Sequence, residues 1–107
     1  NGVRMYQLAG VAAGTYGRTF YIENNTPFLI KMMNRDMKVN GVTNDDVLFN
    51  IDSIAPGKGR FIKFSLMQDS SAAVNTTQVN DASFRMIVVN RTENTLLFTT
   101  DVIDVVF

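Results

Sequence analysis

The chain has 107 residues, 46% hydrophobic and 19% charged, with ten basic and ten acidic side chains in balance. This length makes one domain that buries roughly two-thirds of its unfolded-state surface, and the apolar content excludes a disordered segment. The densest cationic spacing, Lys58, Arg60 and Lys63, is too sparse for a nucleic-acid footprint, so no nucleic acid is expected as a partner.

Cys and His are absent. Thiolate nucleophiles, imidazole-based dyads and triads, and the usual zinc ligand sets are therefore excluded, and the expectation is a non-enzyme with no cofactor. No apolar run reaches the ~18 residues of a membrane span, so this segment is not expected to insert in a membrane. Asn1 in place of Met at the start points to a processed piece of a longer chain, with any signal peptide or anchor upstream.

In chain order, Met5, Tyr6, Leu8 and Val11 predict a short first strand, and the small residues between Gly10 and Gly17 predict a turn. That stretch lacks the Lys-Ser/Thr ending of a phosphate-binding loop. From Arg18 the alternation is that of a half-buried strand: Phe20 and Ile22 on one face, Thr19, Tyr21 and Glu23 on the other. Asn24-Asn25-Thr26-Pro27 turns the chain, and Phe28 to Val39 returns as a strand with Phe28, Ile30 and Met32 on one face. Met37 and Val39 have the opposite parity to Met32, which predicts a bulge or a change of sheet near Arg35.

Asn40-Gly41 between Val39 and Val42 predicts a tight hairpin. Residues 43–50 fit a helical turn capped by Thr43 or Asn44 as well as a strand. Pro56-Gly57 is a turn, and Arg60 to Leu66 reads as a buried strand through Phe61, Ile62, Phe64 and Leu66. Residues 68–82 read as a long polar loop, with room for a helical turn. Ser83 to Val89 has apolar residues on both faces, which predicts a central strand or one covered on both sides at one end. Leu96 to Thr99 and Val102 to Phe107 close the chain as one long strand or two short ones. About seven short strands with turns between them predict a single all-β domain over 1–107, an antiparallel β-sandwich.

Four segments carry a resemblance: Phe20-Tyr21-Ile22-Glu23-Asn24-Asn25-Thr26, Asp36-Met37-Lys38-Val39-Asn40-Gly41-Val42, Ile54-Ala55-Pro56-Gly57-Lys58 and Phe98-Thr99-Thr100-Asp101-Val102-Ile103. In order and spacing they resemble the immunoglobulin-like extracytoplasmic domains of Gram-positive bacterial membrane-anchored proteins of the zinc-ribbon type. The resemblance implies an immunoglobulin-like sandwich, a position outside the cell at its surface, and a non-catalytic role. It carries over no functional residues.

Candidate sites are few. Asp45 and Asp46, with Asn44, Asn50 and Asp52 near them, offer oxygen ligands of the kind calcium takes. Their spacing matches no EF-hand loop, and a solvated loop of Asx turns explains them better. Tyr21, with Tyr6 and Tyr16, is the candidate for sugar stacking, on a platform without Trp. Asp101 and Asp104, three apart on one strand, face opposite sides and do not form an acid pair; as edge charges they discourage strand-to-strand aggregation. Asn24, Asn75 and Asn90 begin Asn-X-Ser/Thr sequons at the density chance produces. Of Met32 and Met33, a regular strand leaves one outside. The expected role is an extracytoplasmic interaction or spacer module of a larger surface protein, its partner another protein or a cell-wall component. A carbohydrate-binding module with exposed coplanar aromatics is the alternative.

Overall fold

The computed structural model describes residues 2–8, 17–43, 50–65 and 81–106. These hold nine strands and no helix: β1 (Val3–Gln7), β2 (Gly17–Asn24), β3 (Ile30–Val39), β4 (Val42–Thr43), β5 (Asn50–Ile54), β6 (Gly59–Ser65), β7 (Ala82–Asn90), β8 (Thr95–Thr99) and β9 (Ile103–Val105). All pairings are antiparallel. One sheet runs β1-β2-β6; the other runs β4-β3-β7-β8, with β5 also beside β3 and β9 also beside β7. The molecule is an antiparallel β-sandwich.

The core lies between the sheets. Phe20 and Ile22 from β2 meet Ile30, Met32, Met37, Val39, Phe84, Met86 and Val88 from β3 and β7. Across the interface the rings of Phe20 and Phe84 pack edge-on at 5.8 Å, the geometry that aromatic quadrupoles favour.

The bulge is where parity placed it. The β3–β7 register shifts between Arg35 and Lys38, and Asp36 takes a left-handed φ of 53°. The extra residue keeps Met32 and Asn34 before it, and Met37 and Val39 after it, all on the buried face. At the hairpin that follows, Asn40 and Gly41 have φ of 52° and 77°. Two positive φ values in a two-residue loop, with Val39 paired to Val42, make the mirror-image turn whose twist suits flanking strands. The 55–58 turn has Pro56 before Gly57 at φ 75°, closed by the Lys58 amide on the Ala55 carbonyl at 3.1 Å, as a type II turn requires.

β7 is central and its end is covered on both faces: Ile87, Val88 and Val89 are all buried. The chain's last part forms two short strands, β8 and β9. Met32 is buried and Met33 only half so.

Three expectations need correction. The described strands number nine because the edges of the larger sheet are each made of two pieces, β4 with β5 and β8 with β9. β3 starts at Ile30, not Phe28, whose ring is 41% exposed, because the 24–28 turn holds the chain out of the ladder. β6 is an edge strand, with Phe61 64% exposed and Arg60 and Lys63 also exposed. Among the described residues it pairs only with β2, on one side, so its apolar residues fall on both faces of a margin. The alternatives for residues 43–50 and the loop at 68–82 lie, but for Thr43, Asn50 and the last two loop residues, outside the described residues.

Candidate functional site

The buried polar hub of the fold is Asn24, at the end of β2. Its Nδ2 donates to the carbonyls of Phe28 at 2.7 Å and Ile54 at 2.9 Å. Its Oδ1 accepts from the Thr26 amide at 3.0 Å and the Thr26 hydroxyl at 2.6 Å. Its backbone completes the tie, donating to Lys58 O and accepting from Gly57 N. One residue thus fastens the 24–28 turn to β5 through its side chain and to the 55–58 turn through its backbone. In the sequence Asn24 is a turn residue and the start of a sequon; Asn followed by Thr two positions on is the local signal of an Asx turn, but the partner from β5 is far away in the chain. Asn24 is fully buried, and Asn90, whose Oδ1 caps the next turn by accepting from the Glu93 amide, is nearly so. Neither sequon is accessible to a glycan.

Asp45 and Asp46 lie outside the described residues, as do Asn44, Tyr16 and Asn75. Among the described residues no group of three or more His, Cys, Asp or Glu gathers at metal-binding range. Asp101 and Asp104 are both exposed, Asp101 in the link before β9 and Asp104 on β9.

Tyr21 stands on the outer face of the smaller sheet, in register with Tyr6 on β1 and Phe61 on β6. Ring centroids step 5.8 Å to Tyr6 and 4.8 Å to Phe61, with each neighbour tilted 56° from Tyr21. The Arg4 guanidinium lies 5.5 Å from the Tyr6 ring and 3.6 Å from Glu23. This is a tilted cluster, not a coplanar row. Tyr21 has a packing role: a Cβ at Gly59 would collide with its hydroxyl and its Cζ, so the ring fills the space the edge glycine leaves.

The sheet edges differ in how they are guarded. β1 carries Arg4, β6 carries Arg60 and Lys63, and β5 carries Asp52, while β4 has only two residues. Charges and short length on an edge oppose pairing with another chain. β8, Thr-Leu-Leu-Phe-Thr, has no charge, ends its sheet among the described residues, and exposes Leu96 at 62%. Beside it a groove of about 320 Å³ runs between Gly2, Thr26, Pro27, Phe28, Leu97 and Phe98. Among the described residues, the partly buried hydrophobics packed against the core are Val3, Met5, Ile62, Leu97, Phe98 and Ile103. Five of these six belong to β1, β8 and β9, so among the described residues the core is least covered along that side. The opposite side is drawn together by the β5–β6 turn and by Arg60, which donates to Ser53 O at 3.1 Å. The seam is clasped at its far end, where the Gln7 amide exchanges two hydrogen bonds with the backbone of Val106. Comparison of the chain with family models, curated proteins and solved structures returned no match.

Proposed function

We propose that the domain is a non-catalytic interaction module that takes an extended segment of a partner protein along β8. The observation that carries this reading is the conjunction of an uncharged open edge with an apolar groove directly beside it. An added strand gains main-chain hydrogen bonds from the edge, and alternate side chains find pockets. The half-buried Leu97 and Phe98 supply the apolar floor, and Leu96 a contact on the outer face.

The strand order β1-β2-β6 against β4/β5-β3-β7-β8/β9 supports an immunoglobulin-like reading of the sandwich. The rest of the reading, a module outside the cytoplasm, at the surface of a bacterium and within a larger anchored protein, rests on the resemblance of the four segments already named.

Hydrogen exchange tests the binding mode. The chain is mixed with a synthetic peptide of alternating Val and Thr, and with the same peptide bearing Pro at its centre. New amide protection confined to 95–99 and absent with the Pro peptide is expected. Protection at β1 or β6 instead, or none at millimolar peptide, refutes the assignment.

A further inference from the structure

The outer face of the larger sheet carries a separate feature beside the β3 bulge. Arg35 and Arg85 stand directly opposite each other in the β3–β7 ladder, and like charges so placed repel. Past the bulge, Lys38 pairs with Ser83 on one side and Thr43 on the other, forming a row of one cation between two hydroxyls. A cavity of about 340 Å³ opens over these residues, lined by Asp36, Lys38, Thr43, Ser83, Arg85 and Val102.

The donors around it are under-engaged. Arg85 reaches Asp36 Oδ2 from Nε at 3.8 Å and Thr100 O from Nη1 at 3.5 Å, both at or beyond the outer limit of a hydrogen bond, while a guanidinium has five N–H groups to place. The Lys38 ammonium and the Thr43 and Ser83 hydroxyls have no hydrogen-bond or ion-pair partner among the described residues. Asp36 holds its left-handed φ without being glycine. Bulges commonly re-aim side chains beside binding sites, and such backbone strain concentrates there. Among the described residues the opposing negative charge comes from Asp36 and, across from Ser83, from Asp104 on β9; Arg35, Arg85 and Lys38 outweigh these two.

We propose that this cavity binds a small oxyanion, a phosphate or a carboxylate. The Arg85 guanidinium would present its planar fork to two oxygens, the Lys38 ammonium a third contact, and the Ser83 and Thr43 hydroxyls the remaining donors. Asp36 competes with the ligand for Arg85 and so sets the affinity. The site is independent of the β8 edge.

The test is an amide-resolved NMR titration of the chain with inorganic phosphate and, separately, with acetate, ionic strength held constant with sodium chloride. Saturable shifts centred on Lys38, Thr43, Ser83 and Arg85 are expected with at least one anion. A response to both means recognition of any oxyanion, and a response to phosphate alone means a tetrahedral ligand. Lys38→Gln, a change at an exposed side chain, should weaken binding about tenfold, as loss of one charge-assisted contact does. Asp36→Asn keeps a residue that accepts positive φ and releases Arg85, so it should tighten binding several-fold. Unsaturable shifts spread over all the basic residues overturn the proposal. So does an isotherm unchanged by both variants.

Discussion

Asn24→Ala removes four side-chain hydrogen bonds at a site with no access to water. At about 1 kcal/mol net for each bond, with the Thr26 hydroxyl still able to reach Phe28 O at 3.3 Å, the expected loss is roughly 3–4 kcal/mol. That is a large share of the ~5–15 kcal/mol that stabilises a domain of this kind. For a chain of this size it lowers Tm by roughly 15 °C. The assay is urea unfolding followed by far-UV circular dichroism, in which the midpoint should fall with the slope unchanged. Asn24→Asp separates bonding from volume, because it keeps the shape and the bonds to Thr26. It turns an oxygen toward the carbonyls of Phe28 and Ile54 where a donor was, and should cost at least as much as Ala. A cost under about 1 kcal/mol for both variants would refute the hub.

Other expectations follow from single positions. Thr19 is buried and its hydroxyl has no partner among the described residues, so Thr19→Val should stabilise by about 1 kcal/mol in the same urea assay. Met32→Ala should cost ~2–5 kcal/mol as a core truncation, while Met33→Ala, half-exposed, should cost under half of that by thermal melting. Gly59→Ala and Tyr21→Ala should be non-additive in a double-mutant cycle by more than about 0.5 kcal/mol, because the ring occupies the space a Cβ needs. Leu96→Lys should leave stability within about 0.5 kcal/mol yet abolish peptide-induced protection of β8 in hydrogen exchange.

The turns and the bulge were legible in the amino-acid sequence because they rest on local backbone preference. Asn40-Gly41 and Pro56-Gly57 determine their turns from the conformations those residues accept. The shift in parity between Met32 and Met37 marked the irregularity at Asp36 because a strand's period of two admits no other way to keep both on one face. The double-sided apolar pattern of 83–89 foretold a central strand for the same reason.

Which strands form the edges was decided only by tertiary structure. Phe61-Ile62 in β6 and Ile87-Val88 in β7 both put apolar residues on both faces of their strands, yet among the described residues β6 has one neighbour and β7 has three, and sheet order depends on pairings between residues far apart in the chain. The Asn24 hub needs a carbonyl thirty residues away, the open lip of the core needs β1 beside β8 and β9, and the cationic cavity needs β3, β4 and β7 in register. Composition and spacing supply the donors, the apolar faces and the charges; the pairing of distant strands determines which of them are covered and which are left to meet a ligand.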